Sequence, residues 1–116
     1  MKGFLLVVGA LVVGVLIGAL SPLTIPPAWS KYVAVAILAA LDTGLGGIRS
    51  GMEMRFDLLV FISGFTANTL LAAGLTFLGD KLGIDLYLAA IVVFGVRIFE
   101  NLAKIRRLLL SRFWTA

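Results

Sequence analysis

Leu41-Asp42-Thr43-Gly44-Leu45-Gly46-Gly47-Ile48-Arg49 decides how this chain is read. A carboxylate sits inside a long apolar run, followed by closely spaced glycines and then an arginine. The run containing Asp42 extends from about Tyr32 to Ile48, long enough to cross a bilayer at the short end of the usual range. An acid placed there is expensive, so Asp42 is a functional-site candidate by default. The same stretch argues against a soluble fold, because its glycines lie in an apolar helix rather than a strand–turn–helix phosphate loop.

Composition agrees. Of 116 residues, 61% are hydrophobic and 14% charged, and the mean hydropathy is +1.12, outside the range of soluble domains. The length allows a single domain. Without cysteine or histidine there is no disulfide framework, no thiolate or His–Cys zinc site and no histidine-based triad. No metal or other cofactor is expected. The net charge of +4 is not a nucleic-acid signature here, because the basic residues cluster at the ends of apolar runs and in the tail. That distribution suits a membrane protein facing anionic headgroups.

Outward from Asp42, the pattern predicts an all-α membrane protein of four transmembrane helices joined by short loops. The spans are expected at about 4–20, 32–48, 58–79 and 86–103, with a basic tail over 104–116. The first follows Met1-Lys2 and is apolar throughout. A secretory signal peptide has a similar start, but the small residues near Ser21 lack the A-x-A arrangement and further spans follow. Pro22, Pro26 and Pro27 end this helix. Trp29 and Tyr32 then stand at interfacial aromatic positions. The glycines at 44, 46 and 47 are expected to fray or bend the second helix. Residues 49–57 read as a polar connection, and Asp80, Lys81, Gly83 and Asp85 as a turn.

Counting Lys and Arg near the span ends sets the orientation. One face carries Lys2, Arg49, Arg55, Lys104, Arg106, Arg107 and Arg112, against Lys31 and Lys81 on the other. Both termini are therefore expected in the cytoplasm and the protein in the plasma membrane. Ala10, Gly14 and Gly18 form a four-residue stripe of small residues, as do Ala36, Ala40 and Gly44. Such stripes let helices approach closely, although glycine is also simply common in membrane helices. Arg49, Lys104, Arg106, Arg107 and Arg112 are placed to meet headgroups or a partner protein.

The topology also makes a geometric claim. Asp42 lies ten residues below Tyr32, Arg97 eleven below Leu86, and Asn68 ten above Leu58. Each is roughly 15–17 Å from its span's start, so acid, base and amide are expected in one layer. Arg97 has three readings: snorkelling to headgroups with Glu100 as a local partner, pairing with Asp42, or a transport role. Asp42 is too short to snorkel far, and must be paired, hydrated or neutral.

Three blocks resemble the small basic protein family of Gram-positive and related bacteria. They are Ala39-Ala40-Leu41-Asp42-Thr43 with Gly46-Gly47-Ile48-Arg49, Phe61-Ile62-Ser63-Gly64-Phe65 with Asn68, and Gly83-Ile84-Asp85-Leu86-Tyr87-Leu88-Ala89 with Phe94-Gly95-Val96-Arg97 and Asn101. Leu23-Thr24-Ile25-Pro26 is similar to that family's first loop, so the resemblance covers nearly the whole chain. It implies a small membrane protein encoded close to cell-division genes, with no established reaction. No enzyme is expected: Ser63 has no histidine or intramembrane lysine to act as its base. The leading expectation is a multi-pass protein that forms homo-oligomers or assembles with membrane partners, linked to division or envelope assembly. The alternative is a small oligomeric transporter or channel component using Asp42, Asn68 and Arg97.

Overall fold

The computed structural model describes the backbone of residues 2–114 and the side chains of residues 5–112. The side chains of Lys2, counted above for orientation, and of Phe113 and Trp114 lie outside that range. Four α-helices follow one another: α1 (Lys2–Leu20), α2 (Ser30–Met52), α3 (Leu58–Leu82) and α4 (Tyr87–Trp114), with a single 3₁₀ turn at Pro27–Trp29 before α2. The molecule is elongated, 55 × 30 × 25 Å.

Helix α2 is the hub, packing against α1, α3 and α4. The central core joins α2, α3 and α4 through Val35, Ala39, Ala72, Ala90 and Phe94. Small residues dominate this list, so the helices meet at close range rather than across layers of large side chains. Thr76 is buried beside this core, its hydroxyl donating to the Ala72 carbonyl at 2.8 Å. The polar group is thereby satisfied within its own helix.

The local ends follow from chemistry legible in the sequence. Asp57 is in an extended conformation, and its carboxylate accepts from the backbone N–H of Leu59 at 2.9 Å and Val60 at 3.2 Å. It satisfies two of the orphan donors at the start of α3. At the other end, Gly83 takes the left-handed conformation at φ 72°, which ends the helix without Cβ strain. The turn back into α4 is tight, with Gly79 buried against the backbone of residues 84–86.

Three sequence expectations need correction. Helix α2 does not fray at Gly44–Gly47 but runs unbroken to Met52, so only residues 53–57 form the connection to α3. Each of these glycines is placed where a neighbour approaches. A Cβ at Gly44 would lie 3.1 Å from Leu11 of α1, and one at Gly47 would lie 2.8 Å from the Phe61 ring of α3. Packing of this kind outweighs the low helix propensity of glycine. Asp80 and Lys81 belong to the last turn of α3 rather than to a loop. The segment beyond 103 is not a separate tail, because α4 continues without a break to Trp114.

Two helices, Pro27–Met52 with its leading 3₁₀ turn and Leu58–Leu82, are long and apolar enough to cross a membrane; the apolar part of α1, Leu5–Leu20, is shorter.

Candidate functional site

Polar groups gather at the two ends of the bundle and in one open cavity. At the end formed by the start of α2 and the α3–α4 turn, Lys31 Nζ meets Asp80 at 2.8 Å and Asp85 at 4.0 Å. The Tyr32 hydroxyl donates to the other Asp80 oxygen at 3.3 Å. These contacts are exposed and therefore add little stability.

The cavity lies toward the opposite end, between α2, α3 and α4, with a volume of about 430 Å³. Asp42 stands in its wall and is 1% exposed. Arg97 Nε lies 3.3 Å from Asp42 Oδ1, close enough for an ion pair. The alignment is not that of a hydrogen bond, and neither Asp42 oxygen has a hydrogen-bond partner within the described residues. The Thr43 hydroxyl is buried and unbonded in the same way. Arg97 is half exposed, at 51% of its side chain.

The expected layer of three is thus assembled in part. Asp42 and Arg97 are in contact, and Asn68 lines the same cavity without a hydrogen bond to either. Asp42 on α2 and Arg97 on α4 meet because the two helices pack side by side and carry these residues at matching levels along the bundle.

One to two helical turns from this layer, a second network lines the same cavity. Arg49 Nη1 donates to Asn101 Oδ1 at 3.3 Å, and Arg49 Nε lies 3.5 Å from Glu53. Glu53 also accepts from Arg55 at 2.6 Å. The Arg55 hydrogen bond, reinforced by the charges of Arg49, Arg55 and Lys104, holds the Glu53 carboxyl below the usual carboxylate range. Arg49, expected to face headgroups, is therefore engaged within the chain. Arg112 is likewise engaged, donating to the Met52 carbonyl at 2.9 Å and so capping the end of α2. Lys104, Arg106 and Arg107 remain on the exposed surface of α4.

Asn101 and Glu53 carry this network, and sequence reasoning gave neither a role. For Asn101 the signal was available: it is one turn beyond Arg97 on a helix, and a buried amide needs a partner. Glu53 lies four residues after Arg49, the spacing of a helical i,i+4 pair, but that signal counts only once α2 is known to run to Met52 instead of ending near Ile48.

The small-residue stripes divide. Gly44 receives Leu11, and Ala36 and Ala40 are partly buried on the same helix. Ala10 is exposed, and a Cβ at Gly14 or Gly18 would meet nothing within 4 Å. Among the described residues no group of three His, Cys, Asp or Glu is placed to hold a metal ion.

Residues 25–110, which hold the cavity and both networks, match the family described as "Protein of unknown function (DUF1290)". The chain is 54% identical over 105 residues to the "Small basic protein" of Bacillus subtilis, covering 90% of this chain and 86% of that one. The chain belongs to the small basic protein family. An "Uncharacterized protein" of Mycobacterium tuberculosis is 41% identical over 102 residues, covering 86% of this chain and 84% of its own. No solved structure matches. The family match begins after α1, so the region matched is the hub helix, its two polar-bearing partners and the loops between them.

Proposed function

We propose that this small basic protein is a four-span protein of the plasma membrane, with both termini cytoplasmic, that carries out no catalysis and assembles with further copies or with partner membrane proteins. Division or envelope assembly is the setting that the family resemblance implies. The observation that carries the assembly reading is the outer face of α1. This helix is apolar all round, is exposed from Val12 to Leu20, and packs on α2 near its start through Val7 and Leu11. A Cβ at Gly14 or Gly18 would meet nothing within 4 Å among the described residues. An exposed helix without a polar face needs lipid or another helix around it. Helix α3 supports the membrane reading too, since only 6% of its most apolar window is buried, whereas the core helix of a soluble protein would be mostly buried.

Gly14→Ile and Gly18→Ile are expected to reduce the crosslinked oligomer about tenfold, as expected for a loss of roughly 1.4 kcal/mol of close packing. Val12→Ile is expected to change nothing. Crosslinking in intact cells followed by electrophoresis measures this, and three equal yields would place the α1 face against lipid.

A transport role is the second reading, favoured by the unbonded Asp42 oxygens in the wall of a cavity. Ion flux through proteoliposomes that is lost in Asp42→Asn would support it; sealed proteoliposomes would remove it.

A further inference from the structure

One face of the bundle is split lengthwise between α3 and α4. A groove of about 200 Å³ runs there from Leu75 and Ala89, near the α3–α4 turn, to Asn68 and Arg97. The cavity of about 430 Å³ shares those two residues and continues the split as far as Glu100. From Ala89 to Glu100 this amounts to roughly 16 Å of helix, about half of a span. The lips are open, with Leu71 67% and Val93 54% exposed. No residue of α1 lines either part, so this face is separate from the one that carries Gly14 and Gly18.

The two polar groups in the middle of the face are left incomplete. Neither the Asn68 amide nor the terminal nitrogens of Arg97 have a hydrogen-bond partner among the described residues. Arg97 approaches Asp42 through Nε, and the Asp42 side chain is 0% exposed. That carboxylate balances the guanidinium from behind and leaves its fork unfilled. Both groups stand about halfway along their spans, where hydrocarbon offers neither donor nor acceptor. A guanidinium has donors only, whereas an amide also has an acceptor. The face therefore holds a donor and a neutral acceptor at one level. Glu100 is exposed one turn further along α4, outside that level. Copies of a chain inserted the same way bring equal levels together, and a surface that carries both halves of a contact suits a two-fold interface. A carboxylate from another protein fits less well, because Asp42 already balances Arg97 and a second acid would have to be desolvated beside it.

We propose that two copies pack their α3–α4 faces together about a two-fold axis along the membrane normal, with Arg97 of each donating to the Asn68 side-chain oxygen of the partner copy. Leu71 on α3 then lies against Val93 of the partner copy, each about one turn from the polar layer toward the α3–α4 turn. Each Asp42–Arg97 pair enters as a neutral unit. This rests on the membrane-spanning and assembling reading and names a second surface for it: dimers joined through the groove are joined onward through α1.

The test uses the full cysteine-free chain as two purified populations, Leu71→Cys and Val93→Cys, the second with a larger tag. They are reconstituted in vesicles separately and mixed, and oxidised with copper phenanthroline. The mixed copies are expected to give a disulfide dimer of one chain from each population, and either population alone to stay monomeric. The dimerisation constant, taken from yields across protein-to-lipid ratios, is expected to fall about tenfold with Asn68→Leu, the effect of two interhelical hydrogen bonds in a membrane. Asn68→Gln, which keeps an amide, is expected to retain most of it. Asn68 makes no hydrogen bond among the described residues, so the Leu variant is expected to unfold in detergent as its parent does. Ala89→Trp adds bulk at an exposed lip, removes no polar group and is expected to lower the constant too. Gly14→Ile is expected to leave it unchanged, which separates this contact from the one through α1. Equal yields from mixed and unmixed copies would overturn the proposal and assign the face to lipid, water or another protein. So would a dimer insensitive to Asn68→Leu and Ala89→Trp. Failure of the wild-type chain to enter vesicles at all would overturn the membrane reading itself, an outcome distinct from entry without dimers.

Discussion

Arg97→Gln is expected to destabilise the folded chain by about 3–5 kcal/mol, because it leaves a buried carboxylate without its counter-charge. Asp42 is 1% exposed and Arg97 Nε, at 3.3 Å, is its ion-pair partner. Asp42→Asn is expected to cost less. The guanidinium it leaves behind is half exposed and can turn toward solvent or headgroups. The double variant should then lose less than the sum of the two, since once one charge is gone the other no longer has a partner to lose. Unfolding in detergent, measured for all three variants, gives the coupling directly. Additive losses would mean that the 3.3 Å approach carries no net interaction and that Arg97 only reaches for the surface.

The second large effect is expected at the α3–α4 turn. Gly79 is buried, and a Cβ there would run into the Ile84 carbonyl and lie 3.0 Å from the Leu86 nitrogen. Both are backbone atoms and cannot swing aside as a side-chain end would. The Gly79 carbonyl also accepts from the N–H groups of Gly83 and Ile84, so the turn cannot open without losing those bonds. Gly79→Val is therefore expected to destabilise by about 2–3 kcal/mol, in the range of overpacked sites. Gly74→Val on the same helix is the control, because nothing lies within 4 Å of its Cβ position. Its effect should stay near zero, and equal losses at the two sites would show that helix propensity rather than packing sets both.

The existence of four helices was legible because the apolar runs are long and the breaks between them carry strong local chemistry. Pro22, Pro26 and Pro27 remove backbone donors, Asp57 caps and Gly83 admits a left-handed residue. That Asp42 and Arg97 share a level was legible for a different reason, whereas which of the three readings of Arg97 holds was not. Two helices running the same way with charges ten and eleven residues below their starts must bring those charges to similar depth.

What could not be read is how neighbours use missing atoms. Gly44 and Gly47 weaken a helix by propensity, yet here they admit Leu11 and Phe61, and the helix persists. A single sequence shows the cost of such a residue but not the neighbour that offsets it. The same holds for Arg49. Its position at the end of an apolar run suggests headgroups, but α2 continues to Met52 and sets Glu53 one turn beyond it, and Asn101 arrives from α4. Long-range placement decides the Asn101 contact, and the true end of α2 decides the Glu53 one. The Gly14–Gly18 stripe is the converse case, a packing signal with no partner among the described residues.

The central claim is that four helices cross the membrane with both termini inside, and single-cysteine labelling in this cysteine-free chain tests it most directly. Ser30 and Lys81 lie at one end of the bundle, whereas Met54 and Ser111 lie on exposed surface at the other. Cysteines at the first two positions should react with a membrane-impermeant maleimide on intact cells. Those at the last two should react only after permeabilisation. External labelling at position 111 while position 54 stays protected would contradict the account, leaving α4 outside or in the interface and removing the inner end of the cavity.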